Sequence, residues 1–227
     1  MRRRAPKKRT PNGLSRSGGK VLLIATTAAR LFSTKGYIET SMEDVATASK
    51  ISKGGIYHYF GSKDDLLYFV LSGFMNLVLE SVEQELERIE GPLEKIRFII
   101  FRHVRIYTEH MYAARTLLKE AHNLSAPRSK EVKFKEREYF AVIARIVSSS
   151  MGPRTDNDKV RIMTFTLLGM CNWIYSWYDP KGPTGPDQLS EIIFETFTNG
   201  LSGVREAPRP CNSSRFAEET GRQTRCR

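Results

Sequence analysis

Cysteine is scarce: three residues in a chain of 227, Cys171 in an apolar run and Cys211 and Cys226 near the end. That excludes a disulfide framework and fits a reducing cytoplasm. Long hydrophobic runs are lacking too, and none approaches the ~20 residues that a membrane-spanning helix needs. No membrane association is expected. The start of the chain imitates a secretion leader, but Val21–Ile24 is too short an apolar stretch and Arg30 interrupts the apolar residues beyond it, so neither a leader nor a transit peptide is expected. The four histidines (His58, His103, His110, His122) show no ligand spacing with cysteine or carboxylate, and there is no phosphate loop or nucleophile elbow. No metal, no cofactor and no catalysis are therefore expected. β-alternation and internal repeats are also missing.

The most lopsided absence is of acid. No aspartate or glutamate precedes Glu39, whereas ten basic residues do: Arg2, Arg3, Arg4, Lys7, Lys8, Arg9, Arg16, Lys20, Arg30 and Lys35. After Val204, six arginines face Glu206, Glu218 and Glu219. The net charge of +11 is thus carried by the two ends. Solvated tails account for such charge on their own. Beside a groove-reading motif the same charge suits a polyanion.

Residues 40 to 60 supply that motif. Thr40 or Ser41 can cap a helix whose first turn holds Glu43 and Asp44, the sign of charge its dipole favours. Met42, Val45 and Ala46 are spaced to bury one face. Ser49-Lys-Ile-Ser52 reads as a turn plugged by Ile51, with Ser52 capping a second helix. In that helix Ile56 and Phe60 face inward, leaving Lys53, Gly55, Tyr57 and His58 outside. A helix start this slender and free of acid can enter a major groove roughly 12 Å wide. Gly61-Ser-Lys-Asp-Asp-Leu66 ends it and caps the next helix, placing Lys63 near free N–H groups suited to phosphate. An ordinary packed hairpin has the same outline; the basic flank is what favours DNA.

The rest reads as helices. Residues 1–19 form a basic, Pro- and Gly-containing arm without core residues, expected to be disordered. Residues 20–65 form a three-helix helix-turn-helix head whose first helix, Lys20–Lys35, stops at Gly36. Residues 66–203 form a larger α-helical ligand-binding and dimerisation body, and 204–227 a disordered tail. The fold class is therefore all-α. Lys63–Ile89 is expected as one helix, roughly 40 Å long, linking head to body. Further helices are expected at Leu93–Thr108, His110–Asn123, about Pro127–Met151, Asp156–Tyr178 and Pro186–Leu201. The Asp156–Tyr178 helix carries two apolar stripes, and one of them (Met163, Leu167, Met170, Ile174, Trp177) is assigned to a dimer interface. A central core helix in a monomer would show the same pattern.

The run Thr40-Ser-Met-Glu-Asp-Val-Ala, followed by Ser52-Lys-Gly-Gly-Ile-Tyr-His-Tyr-Phe and Ser62-Lys63, resembles the TetR family of bacterial transcriptional regulators over about Ala25–Leu66. Leu168-Gly-Met-Cys-Asn-Trp-Ile-Tyr-Ser-Trp-Tyr is similar to the dimer-forming region of members that respond to fatty acids and acyl-CoA. The resemblance implies a homodimer presenting two heads to a near-palindrome in double-stranded DNA, with an inducer pocket in each body. It assigns Thr40, Ser41 and Lys63 to phosphate, and Ser52, Lys53, Gly54, Gly55, Tyr57 and His58 to the groove, with Tyr57 and His58 reaching backbone or bases. Lys50 is expected at a phosphate by its own charge, outside the family pattern. Two departures stand out. Lys50 occupies a turn position usually held by Gly, at a cost of about 1 kcal/mol if left-handed. Gly55 replaces the usual Thr or Ser and removes a hydroxyl contact.

The function expected is a bacterial, nucleoid-associated repressor released by a small hydrophobic or acyl-CoA-like effector. Polarity suggests Phe98, Phe101, Met111, Tyr112, Phe134 and Phe165 as apolar pocket lining, with Arg102, Arg105 and Asn172 as its polar groups. A ligand-independent DNA-binding dimer, acting as an architectural or partner-recruiting factor, is the alternative.

Overall fold

The computed structural model describes residues 12–205, and side chains within 18–199. The arm before Asn12 and the tail after Arg205, with Cys211 and Cys226, lie outside the described residues. Among those described there is no strand. The chain forms α1 (Asn12–Lys35), α2 (Met42–Ser49), α3 (Lys53–Tyr59), α4 (Lys63–Leu79), α5 (Val82–Glu87), α6 (Pro92–Glu109) and α7 (Met111–Glu120). A 3-10 turn (Ala121–Asn123) leads to α8 (Ala126–Met151), α9 (Asn157–Asn172), α10 (Ile174–Trp177) and α11 (Pro186–Arg205). Helix α1 thus begins at Asn12, inside the stretch expected to be an unstructured arm.

Helices α1 to α3 form the head. Ile24, Ala28 and Phe32 of α1 are fully buried, as are Val45 of α2 and Ile56 of α3. Each large apolar side chain so buried contributes about 1.5–3 kcal/mol. Gly36, at φ 100°, ends α1 with its N–H on the Phe32 carbonyl at 3.1 Å. Ser41 and Asp44 form a reciprocal capping box at the start of α2. Ser52 accepts from the Gly55 N–H at 3.2 Å, and Ser62 from the Asp65 N–H at 3.0 Å, so α3 and α4 are capped the same way.

The body stacks α4 on α8, α6 on α8 and α11, and α7 on α1. Thr116 of α7, fully buried, has its hydroxyl 3.1 Å from the Ala29 carbonyl of α1, tying body to head. The expected single helix over Lys63–Ile89 is interrupted at Glu80–Ser81. Ser81 sits in the left-handed region at φ 56°, and Arg102 explains why the chain can turn there. Its guanidinium donates at 2.6 Å to the Val78 and Glu80 carbonyls, closing the end of α4, and pairs with Glu85 at 3.0 Å. Lys63–Glu87 is, among the described residues, the one segment long and apolar enough to cross a membrane, and half of its apolar 18-residue window is buried in this core.

The dimer-stripe assignment is corrected by the packing. Met163, Leu167 and Ile174 are buried within the subunit and offer no surface to a partner. Met170 is half-buried, and of the assigned residues only Trp177 is exposed. The opposite stripe faces outward: Ile162, Phe165 and Trp173 are each about 60% exposed. Both stripes are apolar, so periodicity gave no means of ranking them.

Candidate functional site

Ser41, Lys50, Ser52, Lys53, Gly54, Tyr57 and His58 are exposed, and Gly55 is half-buried. On α3 the spacing of Lys53, Gly54, Tyr57 and His58 puts them on one helical face, opposite the fully buried Ile56. A side chain at Gly54 would meet open space. Gly55 is different: a methyl there would stand 2.9 Å from Cγ2 of Ile51 and 3.1 Å from the capping Oγ of Ser52. A side chain at Gly55 would therefore crowd the turn between α2 and α3 unless Ile51 shifts. His58 packs edge-on to Tyr59 at 4.9 Å.

The nearby acids are neutralised. Lys53 pairs with Glu43 of α2 at 2.8 Å. Lys35 hydrogen-bonds Asp44 at 2.7 Å and, with help from Ser41, lowers its pKa to about 2. Lys50 adopts φ 56°, ψ 34° as the C-cap of α2, in the left-handed conformation that glycine would take without strain. Its side chain remains exposed.

Two expected phosphate contacts are corrected. Thr40 is fully buried, its hydroxyl donating to the Gly36 carbonyl at 2.7 Å. Lys63 directs its ammonium inward onto the carbonyls of Tyr37, Ile38 and Thr40 at 2.9, 3.2 and 2.9 Å. Its three donors are consumed in holding the α1–α2 loop.

A cavity of about 550 Å³ lies in the body between α4, α6, α7, α8 and α9. Its walls are apolar: Met75, Leu117, Leu118, Phe140, Phe165 and Leu168, with Tyr107 and Tyr139. Lys133, Glu136 and Arg137 add charge from α8, and Asn172 adds an amide from the end of α9. Burial raises the pKa of Glu136, against the opposing pull of Lys133. Phe140 and Phe165 meet at 4.7 Å.

Beside the cavity, His103 stacks on Tyr107 at 3.9 Å, and its Nδ1 lies 3.2 Å from the Tyr139 hydroxyl. Burial lowers the His103 pKa to about 3, although Asn172 favours its charged form. His103 Nε2 and Asn172 Oδ1 nonetheless lack hydrogen-bond partners of good geometry. Burial also pushes the Cys171 thiol up to about 12, which leaves it a packing residue.

Of the expected pocket residues, Phe165 and Asn172 line this cavity and seven do not. Arg102 is spent on the end of α4. Arg105 is exposed and paired with Glu109. Phe101 lies against Arg97, 5.5 Å from its guanidinium. Tyr112 and Phe134 are surface-exposed, while Phe98 and Met111 pack onto the core. The lining that sequence missed lies chiefly on α8. There Lys133, Glu136, Arg137 and Phe140 recur at three- and four-residue intervals, a one-sided pattern that could have marked it. Among the described residues no cluster of histidine, cysteine or carboxylate could hold a metal.

Comparison with known proteins accords with this two-part architecture. Residues 24–68 match the family of bacterial regulatory proteins termed tetR, and residues 90–201 match the tetracyclin repressor-like C-terminal domain. The transcriptional repressor KstR2 of Mycolicibacterium smegmatis is 26% identical over 183 residues, covering 77% of this chain and 87% of KstR2. A TetR-family regulator from Bordetella parapertussis 12822 superposes with a TM-score of 0.75 at 29% identity, covering 78% of this chain and 93% of that one. AibR, solved with isovaleryl coenzyme A and operator DNA, superposes with a TM-score of 0.69 at 25% identity, covering 78% and 97%. With a helix-turn-helix head and a helical body both matched, the chain belongs to the TetR family of DNA-binding transcriptional regulators.

Proposed function

We propose that the protein is a repressor that grips a near-palindromic operator as a homodimer and lets go when an acyl-CoA occupies the body cavity. Each subunit would lay α3 in a major groove, the two contacts falling 34–36 Å apart on one face of the duplex. Ser41, Lys50 and Ser52 would meet phosphates at the groove edge. Lys53, Gly54, Gly55, Tyr57 and His58 would follow the bases. The basic arm would add sequence-neutral contacts and steepen the salt dependence. The exposed stripe of Ile162, Trp173 and Trp177 would pair with its two-fold copy.

The observation that carries the effector reading is the cavity itself. It is mostly apolar, of a size that small-molecule sites typically have, and carries two cations on α8, Lys133 and Arg137. An acyl chain fits the apolar walls, and the phosphates of coenzyme A suit the lysine and arginine. AibR, which its structure shows with isovaleryl coenzyme A, supports this choice of class. The cavity also favours the effector reading over a ligand-independent DNA-binding dimer.

Release requires only that the ligand prefer the DNA-incompetent state, tenfold in affinity for each 1.4 kcal/mol of preference. The test is operator affinity by fluorescence anisotropy, with and without saturating isovaleryl-CoA and longer acyl-CoAs. Weakening of at least tenfold by one of them is expected. Identical affinities across the panel would remove the switch.

A further inference from the structure

Asp64 stands in the first turn of α4, yet its carboxylate caps a different helix. Oδ1 accepts from the Ser125 backbone N–H at 3.0 Å, and Oδ2 from the Ser125 hydroxyl at 2.8 Å. Ser125 is the N-cap of α8 but makes no cap bond with its own side chain. The positive end of α8 is therefore closed by an acid belonging to α4. Arg128, in the first turn of α8, donates to Asp64 at 2.7 Å and also to Asp65, so one guanidinium spans two carboxylates. These groups are less than a third exposed, which shields the cluster from solvent better than a surface pair.

The joint continues as a seam. Tyr68 donates to Glu131, and Lys135 donates to the Ser72 hydroxyl and the Asn76 side-chain oxygen, each at 2.6 Å. Partners ascend together in both helices, so α4 and α8 run in the same direction, stitched about once per turn. One turn beyond Lys135, α8 supplies Tyr139 and Phe140 to the cavity wall. At the other end, Leu66 and Leu67 of α4 are fully buried, and α4 packs on α1 of the head. A wall of the cavity and the base of the head are thus two ends of one bonded pair of helices.

We infer that this seam, terminated by Arg128 on Asp64 and Asp65, transmits effector occupancy to the DNA-reading head. A ligand that displaces α8 pulls the first turn of α4 with it, and α4 begins directly after the reading helix. The inference rests on the proposal that an acyl-CoA in this cavity lowers operator affinity. Arg128 touches neither DNA-facing residues nor the cavity lining, so it acts as a positioning residue between them.

The experiment measures operator affinity with and without saturating acyl-CoA for the wild type, Arg128→Gln and Asp64→Asn, and acyl-CoA binding separately by calorimetry. Both variants are expected to bind operator and acyl-CoA within about threefold of wild type, while the acyl-CoA-induced loss of operator affinity shrinks at least tenfold. A seam that merely stabilises the fold would lower melting temperature and leave that ratio intact; an unchanged ratio overturns the inference. If the wild type itself shows no coupling, the proposed effector function fails, and the inference with it. That result is distinct from coupling that survives the substitutions. Hydrogen exchange on the wild type supplies a check that does not depend on variants folding. Acyl-CoA should alter protection at 62–68 and 125–131 together, and operator release without change in either segment also overturns the transmission.

Discussion

The ammonium of Lys63 lies 2.9 Å from the carbonyl oxygen of Tyr37 and 4.3 Å from the centre of that residue's ring. With the Ile38 and Thr40 carbonyls it closes the loop between α1 and α2 from the first residue of α4. A charge so engaged stabilises the head rather than the complex. Lys63→Met is expected to destabilise the protein by about 1.5–3 kcal/mol, the range for hydrogen bonds to charged groups. The salt dependence of operator binding should keep its slope, because loss of a phosphate contact would reduce it by about 0.9. Chemical denaturation and an anisotropy titration in salt measure the two effects; a reduced slope would return Lys63 to the DNA.

Adjacent glycines on α3 give a second contrast. Gly54 faces open space, while a methyl at Gly55 presses on Ile51 and on the Ser52 cap. Gly54→Ala should raise stability by about 0.5 kcal/mol through helix propensity. Gly55→Ala should lower it by about 1–2 kcal/mol, overcrowding outweighing the same gain. Thermal melting of the two variants decides this, and equal shifts would show that Ile51 moves aside freely.

Much of the head was legible from sequence because its determinants are local. Ser41 with Asp44, Ser52 before Gly55 and Ser62 before Asp65 are caps three residues long, and Ile56 and Phe60 are one turn apart. Lys63 was misread for the opposite reason: its partners lie more than 20 residues upstream and assemble only when the α1–α2 loop folds back. The cavity depended on the same long-range packing. Arg102 read as a polar pocket group, but the end of α4, which no local pattern placed at Glu80, claims it. On α9, Leu167 and Phe165 are both large and apolar, and only the packed body decides that one is core and the other surface.

His103 gives the acid limb of stability a definite shape. Burial lowers its pKa to about 3 from the ordinary 6.5, among Tyr107, Tyr139, Asn172 and Arg102. Between those values the unfolded chain binds a proton that the folded chain refuses. Stability is therefore complete above pH 6.5 and falls as pH drops towards 3, by up to about 1.4 kcal/mol per unit. His103→Phe retains a ring to stack on Tyr107 and removes the titration. Urea unfolding at pH 6.5 and 5.0 should show the wild type losing about 1.5 kcal/mol and the variant much less. Equal losses would mean that the histidine is reached by water and charged in the folded state.

The outward stripe of α9 and α10 leads to the last prediction. Ile162, Trp173 and Trp177, together with Ile192 of α11, are each at least half exposed. Large apolar groups left exposed on helices that pack together, as α9 does with α10 and α11, offer a surface that another chain can cover. A two-fold pairing presents the same patch from both sides, so one substitution is felt twice per dimer. Trp173→Glu would place two carboxylates in an apolar contact and should convert a dimer to monomers in sedimentation at micromolar concentration, with the helical signal retained. Leu167→Glu, one turn and a half away on the inward stripe, should instead unfold the body, since Leu167 is only 1% exposed. Operator affinity should fall in both cases but for different reasons. Only the Trp173 variant should bind a half-site as well as the wild-type subunit does, and a Trp173→Glu protein that still sediments as a dimer would move the interface to another face.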